Sequence, residues 1–181
     1  MKKLYFARHG QTVWNAENKI CGITDVALTA LGHEQAEELG RLIAAKGYKI
    51  DEILHSPLIR AAETARHIHE ITGIPMRVEP RLKEQNYGDW ESTPRDGAAF
   101  QAAKAQFVNR YGDGESMMQM AQRIYNLLDE LKAQSQEKSY LLVAHNGIAR
   151  IVQSYFYDMT NEEFAAFGIG NCQAVEYEWR E

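Results

Sequence analysis

The chain has 181 residues, 45% of them apolar, with 20 basic against 25 acidic side chains and a net charge of −5. That is enough apolar matter for one globular domain over residues 1–181, and the acidic balance argues against a general nucleic-acid binder. Two cysteines, Cys21 and Cys172, make no disulfide framework and suit a reducing cytoplasm. The Met1-Lys2-Lys3 start leads into an apolar run of only four residues, so neither a signal peptide nor a membrane partner is expected.

That run, Leu4 to Ala7, reads as a buried strand and stops at Arg8-His9-Gly10. In open α/β sheets ligands bind at the carboxyl ends of strands. A glycine there lets the backbone turn sharply and approach a ligand closely. An irregular connection follows from Lys19 to Asp25. Thr29 is placed to cap a helix running to about Lys46, with Leu31, Leu39, Leu42 and Ile43 on its buried side and Gly47 closing it. Ile50 to His55 reads as a second strand. Ser56-Pro57 should open the next helix, with serine as cap and proline in the first turn, and that helix should run to about Thr72. Gly73-Ile74-Pro75 ends it before a weak strand, Met76 to Val78. Strand, helix, strand at these lengths predicts a parallel sheet.

From Glu79 to Glu115 the periodicity fails, apart from a helix expected over Ala98 to Tyr111. A segment of this kind in a compact domain reads as a lid or binding loop. Ser116 to about Ser135 is an amphipathic helix carrying Met120, Ile124, Leu127, Leu128 and Leu131. Tyr140 to Ala144 is the clearest strand and ends at His145-Asn146-Gly147. Helix follows to about Tyr157, with a short one near Glu162 to Phe167 and a last strand over Ala174 to Trp179.

Two strands therefore end in a histidine, and in a parallel sheet both histidines emerge at one edge. Arg60, one turn into the helix after Ser56-Pro57, belongs to the same edge, where helix N-termini also offer free amide donors. Arg8, His9, Arg60 and His145 can thus converge on one dianion. Phosphoryl transfer spreads charge over three equatorial oxygens, and guanidinium groups bind such oxygens bidentately. A neutral imidazole can attack phosphorus and split one hard step into two. The departing alkoxide needs a proton, which a carboxylic acid of raised pKa can give before acting as base toward water. Glu84, at the start of the lid, is the candidate.

The motifs Arg8-His9-Gly10-Gln11-Thr12 with Asn15, Ser56-Pro57-Leu58-Ile59-Arg60-Ala61-Ala62-Glu63-Thr64-Ala65, Glu84 with Tyr87-Gly88-Asp89-Trp90-Glu91, Gly114-Glu115-Ser116 and Ala144-His145-Asn146-Gly147 stand in one order and spacing. In this the chain resembles the histidine phosphatase superfamily, in its phosphoglycerate mutase-like branch, over nearly its whole length. The resemblance implies a three-layer α/β/α sandwich with a mostly parallel central sheet and a short lid over about 79–115. It implies His9 as the phospho-accepting nucleophile, Glu84 as acid and base, and Arg8, Arg60 and His145 as the grip on the phosphoryl oxygens. Gln11, Asn15, Cys21, Gly22, Tyr87, Arg95, Asn146 and Gly147 are candidates for the surrounding substrate pocket. Gln11 replaces the family's commoner glutamate and Asn146 stands where many members have glycine; both are expected to tune the site.

The expected activity is hydrolysis of a small phosphate monoester. A 2,3-bisphosphoglycerate-dependent mutase comes second, and a non-catalytic phospho-ligand binder third, since His9 and Glu84 are both present. Mutases of the family carry an extended lid with paired arginines and a C-terminal tail. Here Arg95, Lys104 and Arg110 are scattered, the chain ends at Glu181, and a short, open lid favours water as acceptor. No cofactor is expected for a phosphatase, and 2,3-bisphosphoglycerate only for a mutase. The oligomeric state is not written in the sequence. No metal site is expected either: His33, His67 and His69 read as surface histidines, and His67-x-His69 points to opposite sides of a helix. Cys21 lacks the arginine six residues later that a cysteine phosphatase needs, and Met117, Met118 and Met120 read as helix packing. Glu79 and Glu91 read as solvated charges, and Trp14, Tyr87 and Trp90 as apolar support of the pocket.

Overall fold

The computed structural model describes residues 2–180. Five strands form one sheet: β1 (Leu4–Arg8), β2 (Glu52–His55), β3 (Met76–Val78), β4 (Tyr140–Ala144) and β5 (Ala174–Tyr177), in the order β3-β2-β4-β1-β5. The first four run parallel, and β5 adds an antiparallel edge beside β1. Helices cover both faces, so the sandwich is three-layered, as expected.

Period-two alternation along β1 sorts the layers. Leu4 and Phe6 face one core with Leu142, α5 (Met117–Ala133) and α6 (Asn146–Phe156), through Ile124, Leu128, Ile148 and Val152. Tyr5 and Ala7 face the other core with α2 (Ala30–Lys46) and α3 (Ile59–Thr72), through Leu39, Ile43, Ala61, Ala65 and Ile68. Full burial of each such leucine or isoleucine contributes about 1.5–3 kcal/mol.

The sequence reading needs correcting at several elements. On α2, Leu31 and Leu42 are 47% and 41% exposed, and the buried stripe is Gly32, Ala36, Leu39, Gly40 and Ile43. Small residues bring α2 close to α3: a Cβ on Gly40 would lie 2.9 Å from Ile71. The two leucines fall outside that stripe. Helix α3 starts at Ile59 rather than the expected Pro57: Ser56 Oγ bonds the His145 ring and accepts the Leu58 N–H at 3.3 Å, and Asp25 Oδ1 accepts the Ile59 N–H at 2.7 Å. The expected 98–111 helix stops at Lys104, giving α4 (Ala98–Lys104), since Phe107 is drawn to Phe164 and Tyr111 into the lid. Helix α1 (Val13–Ala16), with a Thr12–Asn15 capping box, was not anticipated. The last helix is α7 (Asn161–Ala166).

The lid is not an open strap. Ile20, Tyr87, Phe100 and Tyr111 form a small apolar cluster, with Trp90 packed against it. Two short 3₁₀ turns, Pro80–Leu82 and Gly88–Trp90, shape its first half. Glu79 is buried rather than solvated, accepting from the Arg81 backbone and guanidinium. No helix among the described residues is long and apolar enough to cross a membrane.

At the His9-Gly10 turn, a Cβ on Gly10 would lie 2.3 Å from the Gly32 carbonyl oxygen, and a Cβ on Gly32 would lie 2.1 Å from the Gln11 oxygen. Neither neighbour is a flexible side chain. Gly32→Ala is therefore expected to lower unfolding free energy by about 1–3 kcal/mol despite alanine's better helix propensity. Leu42→Ala, on the exposed face, should stay within about 0.5 kcal/mol of the parent. Urea denaturation of the two variants checks the contrast.

Candidate active site

The site begins with strand register. Arg8 pairs with Ala144 across β1 and β4, and the His9 N–H donates to the Ala144 carbonyl at 3.0 Å. His9 and His145 thus leave adjacent parallel strands at the same level, and their ring centroids lie 5.1 Å apart. The His9 Nδ1 lies 2.7 Å from the Gly10 carbonyl oxygen. A carbonyl can only accept, so Nδ1 carries the proton and Nε2 carries the lone pair. Burial, then Arg60 and Arg8, hold His9 well below its ordinary pKa, so the ring is neutral at pH 7.

His145 is fully buried behind this ring. Its Nδ1 accepts from Arg60 Nε at 3.2 Å, so its Nε2 carries hydrogen and donates to Ser56 Oγ at 2.7 Å. Burial and the Arg60 charge keep it neutral too. Arg60, also fully buried, donates to the carbonyls of Thr24 at 2.9 Å and Gly22 at 2.6 Å. It pins the loop that the sequence read as an irregular connection.

A cavity of about 140 Å³ opens over His9, lined by Arg8, Asn15, Cys21, Glu84, Tyr87, Arg95, Asn146 and Gly147 among others. These predicted residues are brought together. Arg60 and His145 are one layer behind the lining rather than in it. Gln11 and Gly22 are outside it as well. The Gln11 side chain accepts from Thr29 Oγ1 at 3.0 Å, and Gly22 gives its N–H to Glu91 and its carbonyl to Arg60. Glu84 is buried, and its two oxygens accept from the backbone N–H groups of Gln85, at 2.9 Å, and Gly147, at 3.0 Å. The N-terminus of α6 therefore holds this carboxyl group rather than standing open for an external anion. Arg8 donates from Nη1 to the Ile169 carbonyl at 2.8 Å, and its buried Nε has no partner among the described residues. Burial raises the thiols of Cys21 to about 11 and Cys172 to about 12, so both remain protonated.

Residues 4–181 match the histidine phosphatase superfamily (branch 1). The chain belongs to this superfamily. It is 30% identical to the protein named probable phosphoglycerate mutase GpmB of Yersinia pestis, covering all of this chain and 86% of that one. It is also similar to two solved phosphatases. One is the mycobacterial glucosyl-3-phosphoglycerate phosphatase, at TM-score 0.84 and 27% identity over 97% of this chain and 89% of that one. The other is a phosphoserine phosphatase of Entamoeba histolytica, solved with phosphoserine, at TM-score 0.85 and 28% identity over 99% and 92%.

In this superfamily member the cavity wall also holds Ile20, Phe100, Gln101, Lys104 and Arg150, which sequence reasoning did not place there. Arg150 sits on the same face of α6 as Asn146 and Gly147, and a charge inside the apolar run Ile148 to Val152 was the available signal. Its Nε donates to the Phe167 carbonyl, while Nη1 is buried without a partner among the described residues. Lys104 and Arg95, read as scattered, converge on this wall. Burial, then Arg150 and Arg95, push Lys104 down to about 8.

Glu91 is no solvated charge. Its carboxylate accepts from the backbone N–H groups of Gly22, Ile23 and Tyr87 and from Thr24 Oγ1, at 2.7 to 3.2 Å. It thereby fastens the 22–24 loop to the lid. Each charge-assisted bond is worth about 1.5–3 kcal/mol where water is excluded, and this site is half-buried. Glu91→Ala is expected to destabilise the protein by about 2 kcal/mol and to open a protease cut between Cys21 and Asp25. Limited proteolysis with mass analysis of the fragments reads both loops at once.

Proposed function

We propose that the protein is a phosphoric monoester hydrolase acting on a small metabolite through a phosphohistidine at His9. The observation that carries this reading is the His9 tautomer: the Gly10 carbonyl takes the Nδ1 hydrogen and leaves the Nε2 lone pair in a ring that lines the cavity. That nitrogen attacks phosphorus, the bond to the ester oxygen breaks, and Glu84 protonates the departing oxygen. Glu84, now a carboxylate, takes a proton from water; the hydroxide oxygen bonds to phosphorus, the phosphorus–nitrogen bond breaks, and inorganic phosphate leaves. Arg8 is the cation in the lining that meets the transferring oxygens, with Arg60 and His145 holding the charge and geometry behind it. Charge stabilisation in this scheme comes from guanidinium groups, so it calls for neither metal nor organic cofactor.

The name of the Yersinia pestis relative supports transfer to a second hydroxyl instead of water. Two solved relatives named as phosphatases support hydrolysis. Wild-type protein incubated with a ³²P-labelled phosphomonoester and quenched in alkaline SDS should carry an alkali-stable label that later acid treatment removes. His9→Ala should lose the label and at least about 10³-fold in turnover, given the usual size of a nucleophile's contribution. Retention of the label in that variant would place the nucleophile elsewhere.

The far wall supports a finer reading: the substrate carries a second anionic group, carboxylate or phosphate, beyond the scissile phosphoryl group. Arg95, Lys104 and Arg150 line that wall, and Glu84 is the single acid in the lining among the described residues. The phosphoserine held by one relative is an ester of this doubly anionic kind. Lys104 is charged below about pH 8 and neutral above it, so its grip on a second anion weakens as pH rises through that value. KM for a carboxylated phosphomonoester is expected to rise about tenfold across that step, the size of one charge-assisted bond, while KM for p-nitrophenyl phosphate follows only its own ionisation. Lys104→Arg should remove the step, which steady-state kinetics from pH 7 to 9 will show.

A further inference from the structure

On the face of the molecule behind the His9-Gly10 turn, α2 and α3 bring together three side chains that no step above uses. His33, in the first turns of α2, places Nδ1 2.9 Å from Nε2 of His67 on α3. Glu63 lies four residues before His67, so the two share one face of α3. One ligand atom from each of the three lies within 4.8 Å of the others. The sequence reading took both histidines for independent surface residues, and it overlooked the Glu63-x-x-x-His67 spacing.

We propose that His33, Glu63 and His67 form a zinc site that cross-links α2 to α3. Two imidazole nitrogens and a carboxylate oxygen are a ligand set suited to Zn²⁺ and to neighbouring transition ions, not to calcium or magnesium. Zinc–nitrogen bonds of 2.0–2.1 Å at a tetrahedral angle put two ligand nitrogens about 3.3 Å apart. The rings need to separate by only about 0.4 Å from their present contact. In that contact one nitrogen already offers a lone pair to the other. Binding asks one ring to change tautomer, which leaves hydrogen on His67 Nδ1. Glu37 Oε1 lies 3.9 Å from that nitrogen, placed to accept the hydrogen and fix the ring as outer carboxylates do for ligating histidines. Arg66 holds Oε2 of Glu63 at 2.6 and 3.2 Å, and these bonds leave Oε1 to turn to the ion. Water fills the fourth position.

The location gives the site a consequence. Gly32, beside His33, packs its carbonyl against Gly10, and Thr64, beside Glu63, accepts the Gly10 N–H at 3.1 Å. An ion here clamps the two residues that support the turn carrying His9.

Chelator-treated protein titrated with Co²⁺ should bind one ion per chain and develop visible bands of a four-coordinate nitrogen and oxygen site, displaced by one equivalent of Zn²⁺. His33→Gln and His67→Gln should each abolish the bands, Glu37→Gln should weaken binding about 10–100-fold, and His145→Gln should leave them in place. Should a variant fail to fold, imidazole ¹⁵N spectra of the wild type decide: one equivalent of Zn²⁺ should shift the ring nitrogens of His33 and His67. No bands, bands that survive both histidine variants, or shifts confined to His9 and His145 would overturn the site.

Discussion

The pairing of two parallel strands in one register is what everything else rests on. Leu4 faces Tyr140 and Arg8 faces Ala144, so the residues that follow, His9 and His145, arrive side by side. A slip of one residue would send every side chain of a strand to the opposite face. Here it would put Leu4 and Phe6 among α2 and α3 and carry the His9 ring away from its neighbour. The alternating cores on the two faces of the sheet therefore fix the placement of the two histidines as well as stability.

On that frame the site gathers far more positive than negative charge. Arg8, Arg95, Lys104 and Arg150 line one small cavity with Arg60 just behind. Burial alone disfavours a charged imidazole, and the Arg60 and Arg8 charges disfavour it further at both rings. Uncharged, the His9 ring keeps a lone pair on Nε2, while the lone pair of His145 Nδ1 is taken by Arg60. Carbonyl groups absorb what the acids do not: those of Gly22, Thr24, Ile169 and Phe167 accept from Arg60, Arg8 and Arg150. The guanidinium groups are thereby aimed without being neutralised.

Much of this was legible in the chain because strand ends and glycine turns are local signals. β1, β4, α5 and α6 follow directly from apolar runs and periodicity, and they carry His9, His145, Asn146 and Gly147 to one edge. What was not legible depends on contacts between distant residues. The buried stripe of α2 is set by how closely its glycines let α3 approach, so Leu31 and Leu42 lost the places their hydrophobicity suggested. Ser56 has the chemistry of a cap and accepts the Leu58 N–H, but its hydroxyl is shared with an imidazole 89 residues away. Glu91 looked like a surface charge because its partners, the amides of Gly22 and Ile23, lie nearly seventy residues earlier. Lys104 ends a helix shortened by tertiary packing, and no spacing rule would aim it at the cavity.

The loop at Gly168–Ile169 links the two strand ends in a further way. The Asn146 carboxamide oxygen accepts the Ile169 N–H at 2.9 Å, and the carbonyl of that same residue accepts from Arg8. The orientation of the first arginine thus hangs, through the backbone of the single residue Ile169, on the side chain that follows the second histidine. A glycine at position 146 would leave that backbone without its tether. The amino-terminal and carboxyl-terminal halves of this pocket are in this sense mechanically married: drift in one motif changes which residues the other can tolerate.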